Sequence, residues 1–104
     1  MDLIIESKNK GYSAKAKYDI DKKTFVVLKG SSVSAEVAQS EKFRGASSII
    51  SAREKYVKNG VVSEDVTFKS SSTAANFITG RSTNGMITWK DKNGTKLKDL
   101  LFKA

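Results

Sequence analysis

The segment SAKAKYDIDKKTFVVL, residues 13–28, decides the fold class. Its first six residues alternate small or aromatic side chains with lysines, as in a strand that has one buried and one hydrated face. Residues 19–23 form a polar turn, and residues 24–28 are rich in the β-branched and aromatic side chains that favour strands. An apolar run at residues 3–5 adds a further strand. The first third of the chain is therefore predicted to be an antiparallel hairpin or meander with strands at 2–6, 13–18 and 24–28.

The hydrophobic period changes in the middle of the chain. Between Phe43 and Val57, apolar residues and Arg53 recur at three- and four-residue spacings, which predicts a helix. The pair Asn59-Gly60 is the expected left-handed stop of that helix. Its start is left open, because Ser40, Ser47 and Ser48 could each act as the cap. Short strands are expected at 61–62 and 66–68.

The last third contains clear helix signals. The serines at 70–72 provide an N-cap and Gly80 a C-cap for about two helical turns. Residues 86–90 alternate, which predicts a strand with Ile87 and Trp89 on its buried face. A terminal amphipathic helix is expected over 96–102. The fold class is α+β, a small antiparallel sheet with two to three short helices.

Length and composition limit the possible functions. The 104 residues suit one domain spanning 1–104. The absence of Cys and His excludes disulfides, thiol chemistry, the usual general base and the commonest metal ligands. The carboxylates lie mostly in turns or beside lysines. We therefore expect that the protein is not an enzyme and that it binds no cofactor and no metal. No apolar run is long enough to span a bilayer, and we expect no membrane partner and a cytoplasmic location.

The positive charge points to a polyanionic partner. Nineteen Lys and Arg against eleven Asp and Glu give a net charge of +8 and an isoelectric point of about 9.8, which suits DNA phosphates. A basic but merely hydrated surface is the alternative. The serines are also interpreted as helix caps, Asn84 as a turn residue and Trp89 as a core residue. The candidate nucleic-acid-binding residues are Lys15, Lys17, Lys29, Lys69, Ser70, Ser72, Arg81, Asn84 and Lys90.

Several motifs, in order, resemble one bacterial family, the domain of unknown function 4357. They are the run FKSSSTAA at 68–75, the loop GRSTNG at 80–85, and Trp89-Lys90 followed by Gly94 and Leu97. Upstream, FVVLKGS at 25–31 and Arg53 with NGVV at 59–62 also fit. The chain departs from the family pattern at Ser71, where proline is usual, and at Met86, where an aromatic residue is common.

The resemblance implies a context and no established chemistry. Such domains accompany GIY-YIG nucleases and restriction–modification components, and they are similar to the restriction-enzyme adenine-methylase-associated domain, which is thought to read DNA. We therefore expect a non-enzymatic DNA-binding module, with modified bases as a candidate ligand. Readout is expected from the helix start at Ser70 together with the loop at 81–84. The alternative is a protein-interaction module that docks a nuclease or methylase onto its partner.

Overall fold

The computed structural model describes residues 1–37 and 46–102. Its elements run along the chain as strands β1 (Asp2–Ser7), β2 (Tyr12–Asp19) and β3 (Thr24–Val27), helix α1 (Ala46–Tyr56), strands β4 (Val57–Lys58), β5 (Val61–Val62) and β6 (Val66–Phe68), and helices α2 (Ser71–Thr79), α3 (Gly85–Thr88) and α4 (Leu97–Phe102). The predicted α+β class and N-terminal meander are confirmed. The expected helix residue Phe43 and the possible cap Ser40 lie outside the described residues, whereas Ser47 and Ser48 lie inside α1.

The main sheet has four antiparallel strands in the order β1-β2-β3-β6. Its register places Ile5 opposite Ala14, and Ala16 opposite Val27. Because side chains alternate along a strand, these residues all point to one face, which is buried, and their neighbours point to the other. We call the two sides the inner and outer faces of the sheet.

Helix α2 packs on the inner face and completes the core. Ser70 Oγ accepts a hydrogen bond from the Thr73 N–H, and Gly80 ends the helix in a left-handed conformation, so both predicted caps are confirmed. Phe77 of α2 lies 5.1 Å from Phe68, centroid to centroid. Trp89 is completely buried. Its predicted core position is confirmed, and its ring lies 4.9 Å from that of Phe25.

The predicted strand over residues 86–90 is wrong. Asn84 caps a short helix instead, since its side chain accepts a hydrogen bond from the Met86 N–H, and the chain turns through α3 before Trp89. The strand prediction placed Ile87 and Trp89 on one buried face, but Ile87 is 42% exposed. Of residues 86–90, only Lys90 is paired as in a sheet. It forms a bridge to Ile4 along the free edge of β1, the edge that faces away from β2.

The pair Asn59-Gly60 was predicted to stop the middle helix, and its role is different. Both residues have positive φ, 54° and 79°, as predicted. They form the two-residue turn between β4 and β5, where Lys58 pairs with Val61. Two successive residues with positive φ suit a tight hairpin turn, for which Asn-Gly is the preferred sequence. Within the described residues, no helix is both long and apolar enough to cross a membrane.

Candidate functional site

Three lysines lie in one row across the outer face of the sheet. Lys90 pairs with Ile4 and also with Lys96, and Ile4 pairs with Lys15. Residues directly opposite one another in antiparallel pairs point to the same face. The row therefore runs Lys96, Lys90, Ile4, Lys15, and it spans roughly 14 Å at the usual strand spacing.

The burial pattern confirms the orientation of this row. Each of the three lysines is exposed. Trp89 and Leu97, which precede Lys90 and follow Lys96, are buried on the inner side. The Leu97 N–H donates to the Trp89 carbonyl at 2.9 Å, which holds the two segments side by side. The lysine side chains therefore project from a framework that the core fixes.

Lys17 extends the row into a face. It lies two residues beyond Lys15 on β2, on the same side of the sheet, and is exposed. We call Lys15, Lys17, Lys90 and Lys96 the cationic face. Two carboxylates share this side of β1: Asp2 pairs with Lys17, and Glu6 lies two residues beyond Ile4. The face thus has more positive than negative groups.

The structure joins Lys29 to one end of this face. Lys29 and Lys15 line a shallow depression of about 240 Å³ together with Ser13 and Ser31. The main-chain N–H of Lys29 donates to the Asp65 carboxylate at 2.8 Å. Lys69 lies elsewhere, because it follows Phe68, which pairs with Phe25 at the other end of β3. Of the predicted lysines, therefore, three belong to the cationic face, one borders it and one does not.

The predicted polar residues at the start of α2 lie together, and each has a local hydrogen bond. Besides capping α2, the Ser70 hydroxyl donates to Thr73 Oγ1 at 2.8 Å. Ser72 Oγ accepts from the Gly85 N–H at 3.1 Å. Asn84 Oδ1 is occupied by the Met86 N–H at 3.0 Å. The Ser72–Gly85 bond joins the loop after α2 to the start of that helix, and the bonds of Ser70 and Asn84 show that both residues act as caps.

Arg81 does not lie beside these residues. It follows Gly80 at the opposite end of α2, and a nine-residue helix is roughly 13 Å long. Its exposed side chain lines a groove that also contains Lys10 and Glu36. Ser70 and Arg81 therefore lie at opposite ends of α2, whereas the Asn84 end of the same loop lies near the start of that helix, and readout by Ser70 with this loop stays a prediction.

Arg53 has an arrangement that the sequence did not indicate. Its guanidinium donates to the carbonyl oxygens of Phe77 at 2.9 Å and Ile78 at 3.1 Å. It also donates to the carbonyl oxygen of Ser34 at 2.9 Å and to the Ser34 hydroxyl at 2.9 Å. Burial lowers the pKa of the Arg53 guanidinium. The C-terminal end of a helix dipole is negative, so a cation bound to the last carbonyl groups of α2 stabilises that helix. Arg53 therefore has a structural role.

Lys96 is the functional candidate that sequence reasoning missed. The signal was present, because Asn93-Gly94 is a turn with Lys90 three residues before it and Lys96 two residues after it. Asp91 Oδ1 accepts from the N–H groups of Asn93 and Thr95, both at 2.9 Å, and so shapes the turn that brings the lysines together. Within residues 1–37 and 46–102, no three potential metal-ligating side chains come together.

This fold and face define a small α+β domain with a hydrated, lysine-bearing side on its sheet. Residues 5–101 match the family model described as Domain of unknown function (DUF4357), and the chain belongs to that family. No curated protein and no solved structure matches the chain significantly. The predicted family membership is thereby confirmed, and its association with nucleases stays a prediction.

Proposed function

We propose that this domain is a non-enzymatic nucleic-acid-binding module that holds DNA against the cationic face. The observation that carries the proposal is the row in which strand pairing aligns Lys15 with Lys90 and Lys96, which are distant from it in sequence. Lysines on phosphates release counterions, which gives affinity without requiring any sequence preference. A row of roughly 14 Å matches about four base-pair rises of 3.4 Å.

The surroundings of the row support backbone contact. Each lysine within residues 1–37 and 46–102 has an exposed side chain, so the ammonium groups are hydrated and available. Ile4, Val26 and Leu28 are half-buried on the same side of the sheet. Their apolar surface gives the lysine stems something to pack along, while the charged ends remain in water.

The family resemblance suggests where such a module would act. We propose that it belongs to a nuclease or restriction–modification system, in which it positions a partner on DNA and any cutting is done by that partner. Reading of modified bases is the finer form of this proposal. It would require base contacts in addition to the phosphate contacts, because phosphates carry no sequence information.

The test is fluorescence anisotropy with a short labelled duplex across a salt series. The informative variant replaces Lys15, Lys90 and Lys96 with Gln. A matched control replaces Lys22, Lys55 and Lys58, which are also exposed and lie in the β2–β3 turn, α1 and β4. Both variants lose three positive charges, so they separate the effect of position from that of net charge.

The plot of log K against log salt has a negative slope. We expect the face variant to reduce the magnitude of that slope by up to about 2.7, because each phosphate contact contributes about 0.9. The control should lower it by less than about 1. Equal slopes for the two variants would show that DNA does not lie on this face. Absence of binding by the unaltered protein at low salt would overturn the function itself. Repeating the series with an adenine-methylated duplex tests the finer form.

A further inference from the structure

A groove of about 440 Å³ lies next to the cationic face, along the free edge of β1. Its walls come from Ile4 and Glu6 on the strand and from Ile87 and Thr88 on α3, and Lys90 borders it. The groove exists because the chain is still helical in α3 just before it reaches β1, and it pairs with that strand at Lys90 alone. Pockets of 300–1,000 Å³ are typical of small-ligand sites.

The edge of β1 presents main-chain hydrogen-bonding groups to this groove. In an antiparallel pair, alternate residues direct their N–H and C=O groups to opposite sides of the strand. The N–H and C=O of Ile4 point to the free edge of the sheet. The Ile4 N–H donates to the Lys90 carbonyl at 2.7 Å, and the Ile4 carbonyl accepts from the Lys90 N–H at 3.0 Å. Glu6 lies two residues further on, so its N–H and C=O face the same side, where the neighbouring chain is helix α3 and does not pair with the strand. One donor and one acceptor are thus side by side on the groove wall.

An added peptide strand does not fit this edge. Lys90 already occupies the position opposite Ile4, and β1 ends at Ser7. A single residue of free edge cannot hold a strand, which needs several successive pairs. A small planar group with one donor and one acceptor on its rim can use the same two main-chain atoms.

We propose that this groove binds one unpaired nucleobase of the nucleic acid on the cationic face. The base lies between the apolar side chains of Ile4 and Ile87, and its hydrogen-bonding edge meets the main chain of Glu6. Its phosphate lies toward Lys90 and Lys92, which border the groove together with Asp91. The Asp91 carboxylate accepts from the N–H groups of Asn93 and Thr95, which offset its charge. This inference rests on the proposed function, and it makes the preferred ligand a duplex that contains an extrahelical nucleotide.

The experiment compares three labelled duplexes in the anisotropy assay: fully paired, with a one-nucleotide bulge, and with an abasic bulge at the same position. We expect the bulged duplex to bind about tenfold more tightly than the other two, since packing one base is worth about 1–3 kcal/mol. The abasic probe has the same backbone flexibility and lacks only the base. It therefore separates base binding from a preference for bent DNA.

Ile87→Asn places a polar side chain on the groove wall without adding a charge, and it should abolish the preference for the bulge while leaving paired-duplex affinity within about twofold. The control is Val61→Asn, because both side chains are 42% exposed and Val61 lies in the distant β4–β5 hairpin. Equal affinity for all three duplexes would overturn the base site and leave the proposed DNA-binding function intact. Equal affinity for the base-containing and abasic bulges, both above the paired duplex, would also overturn it. Binding to none of the probes would be a failure of the proposed function.

Discussion

The indole N–H of Trp89 donates a 3.0 Å hydrogen bond to the carbonyl oxygen of Ser71, which is the first residue of α2. This bond fixes the end of α3 against the start of α2. The row lysine Lys90 directly follows Trp89. The buried ring therefore places one of the cationic side chains, and the stability of the core and the geometry of the face are linked at this residue.

Trp89→Phe should lower the free energy of unfolding by about 2 kcal/mol, because the hydrogen bond and part of the packing against Phe25 are lost together. Urea denaturation measures the effect. Tyr18→Phe is the control, since its ring also packs on Phe25, with centroids 5.7 Å apart, and only an oxygen is removed. A Trp89→Phe variant as stable as the control would contradict the role of the indole in joining α3 to α2.

Gly85 touches the backbone of α2. A Cβ at this position would overlap the Ser71 carbonyl group and the Ser72 nitrogen. Because main-chain atoms cannot rotate away, we expect Gly85→Ala to cost about 3 kcal/mol or more in unfolding free energy.

The comparison for Gly85→Ala is Gly11→Ala, also measured by urea denaturation. Gly11 has φ of +74° and nothing within 4 Å of the added Cβ, so that substitution costs only the strained backbone, about 1 kcal/mol. If both substitutions lower the free energy of unfolding by the same amount, the close approach to α2 is not the reason that position 85 requires glycine.

Arg53 connects α1 to the last turn of α2 and to Ser34. Arg53→Met keeps much of the side-chain volume and removes all the donors, so several half-buried acceptors lose their partners. We expect a loss of about 3 kcal/mol in unfolding free energy, because each unsatisfied group costs about 1–3 kcal/mol and water replaces part of the loss. Arg81→Met is the matched control, since Arg81 is exposed, and it should change stability by less than about 0.5 kcal/mol. Equal unfolding midpoints would show that the Arg53 hydrogen bonds contribute nothing net.

Local signals were sufficient for the elements that they define. The alternation of Ala14 and Ala16 with Lys15 and Lys17 predicted a strand with the correct faces. A serine and a glycine predicted both ends of α2. In each case the decisive interaction joins residues close in sequence, so a short window contains the information.

Helix α3 was mispredicted because it is too short for its period to be read. Over residues 86–90, apolar residues at two-residue spacing suit a strand as well as one helical turn. The distinction comes from Gly85, which must lie against Ser71, and from Trp89, whose indole reaches the same residue. The Asn84 cap is a local signal for this helix, but the contacts of Gly85 and Trp89 with α2 lie outside any short window around Met86.

The candidate site was predicted in part for the same reason. Lys15 and Lys17 follow from strand alternation, and their exposure was expected. Their alignment with Lys90 and Lys96 depends on the pairing of Ile4 with Lys90, which joins the two ends of the chain. The expected readout by Ser70 and the loop at 81–84 stays a prediction, because one end of that loop lies beside the start of α2 and Arg81, at its other end, lies a nine-residue helix away.

The carboxylates beside the cationic face allow a test in which affinity rises. Asp2 lies opposite Lys17 on the outer face, so its charge repels a phosphate bound there. Asp2→Asn should raise the affinity for duplex DNA about threefold at low salt, because two unit charges about 6 Å apart in water interact by about 0.7 kcal/mol. At about 1 M salt, where the screening length is about 3 Å, the gain should disappear. Glu54→Gln changes the net charge equally on α1, away from the sheet, and should leave affinity nearly unchanged. If both substitutions raise the affinity by the same factor, the DNA responds to overall charge and the cationic face is not its binding surface.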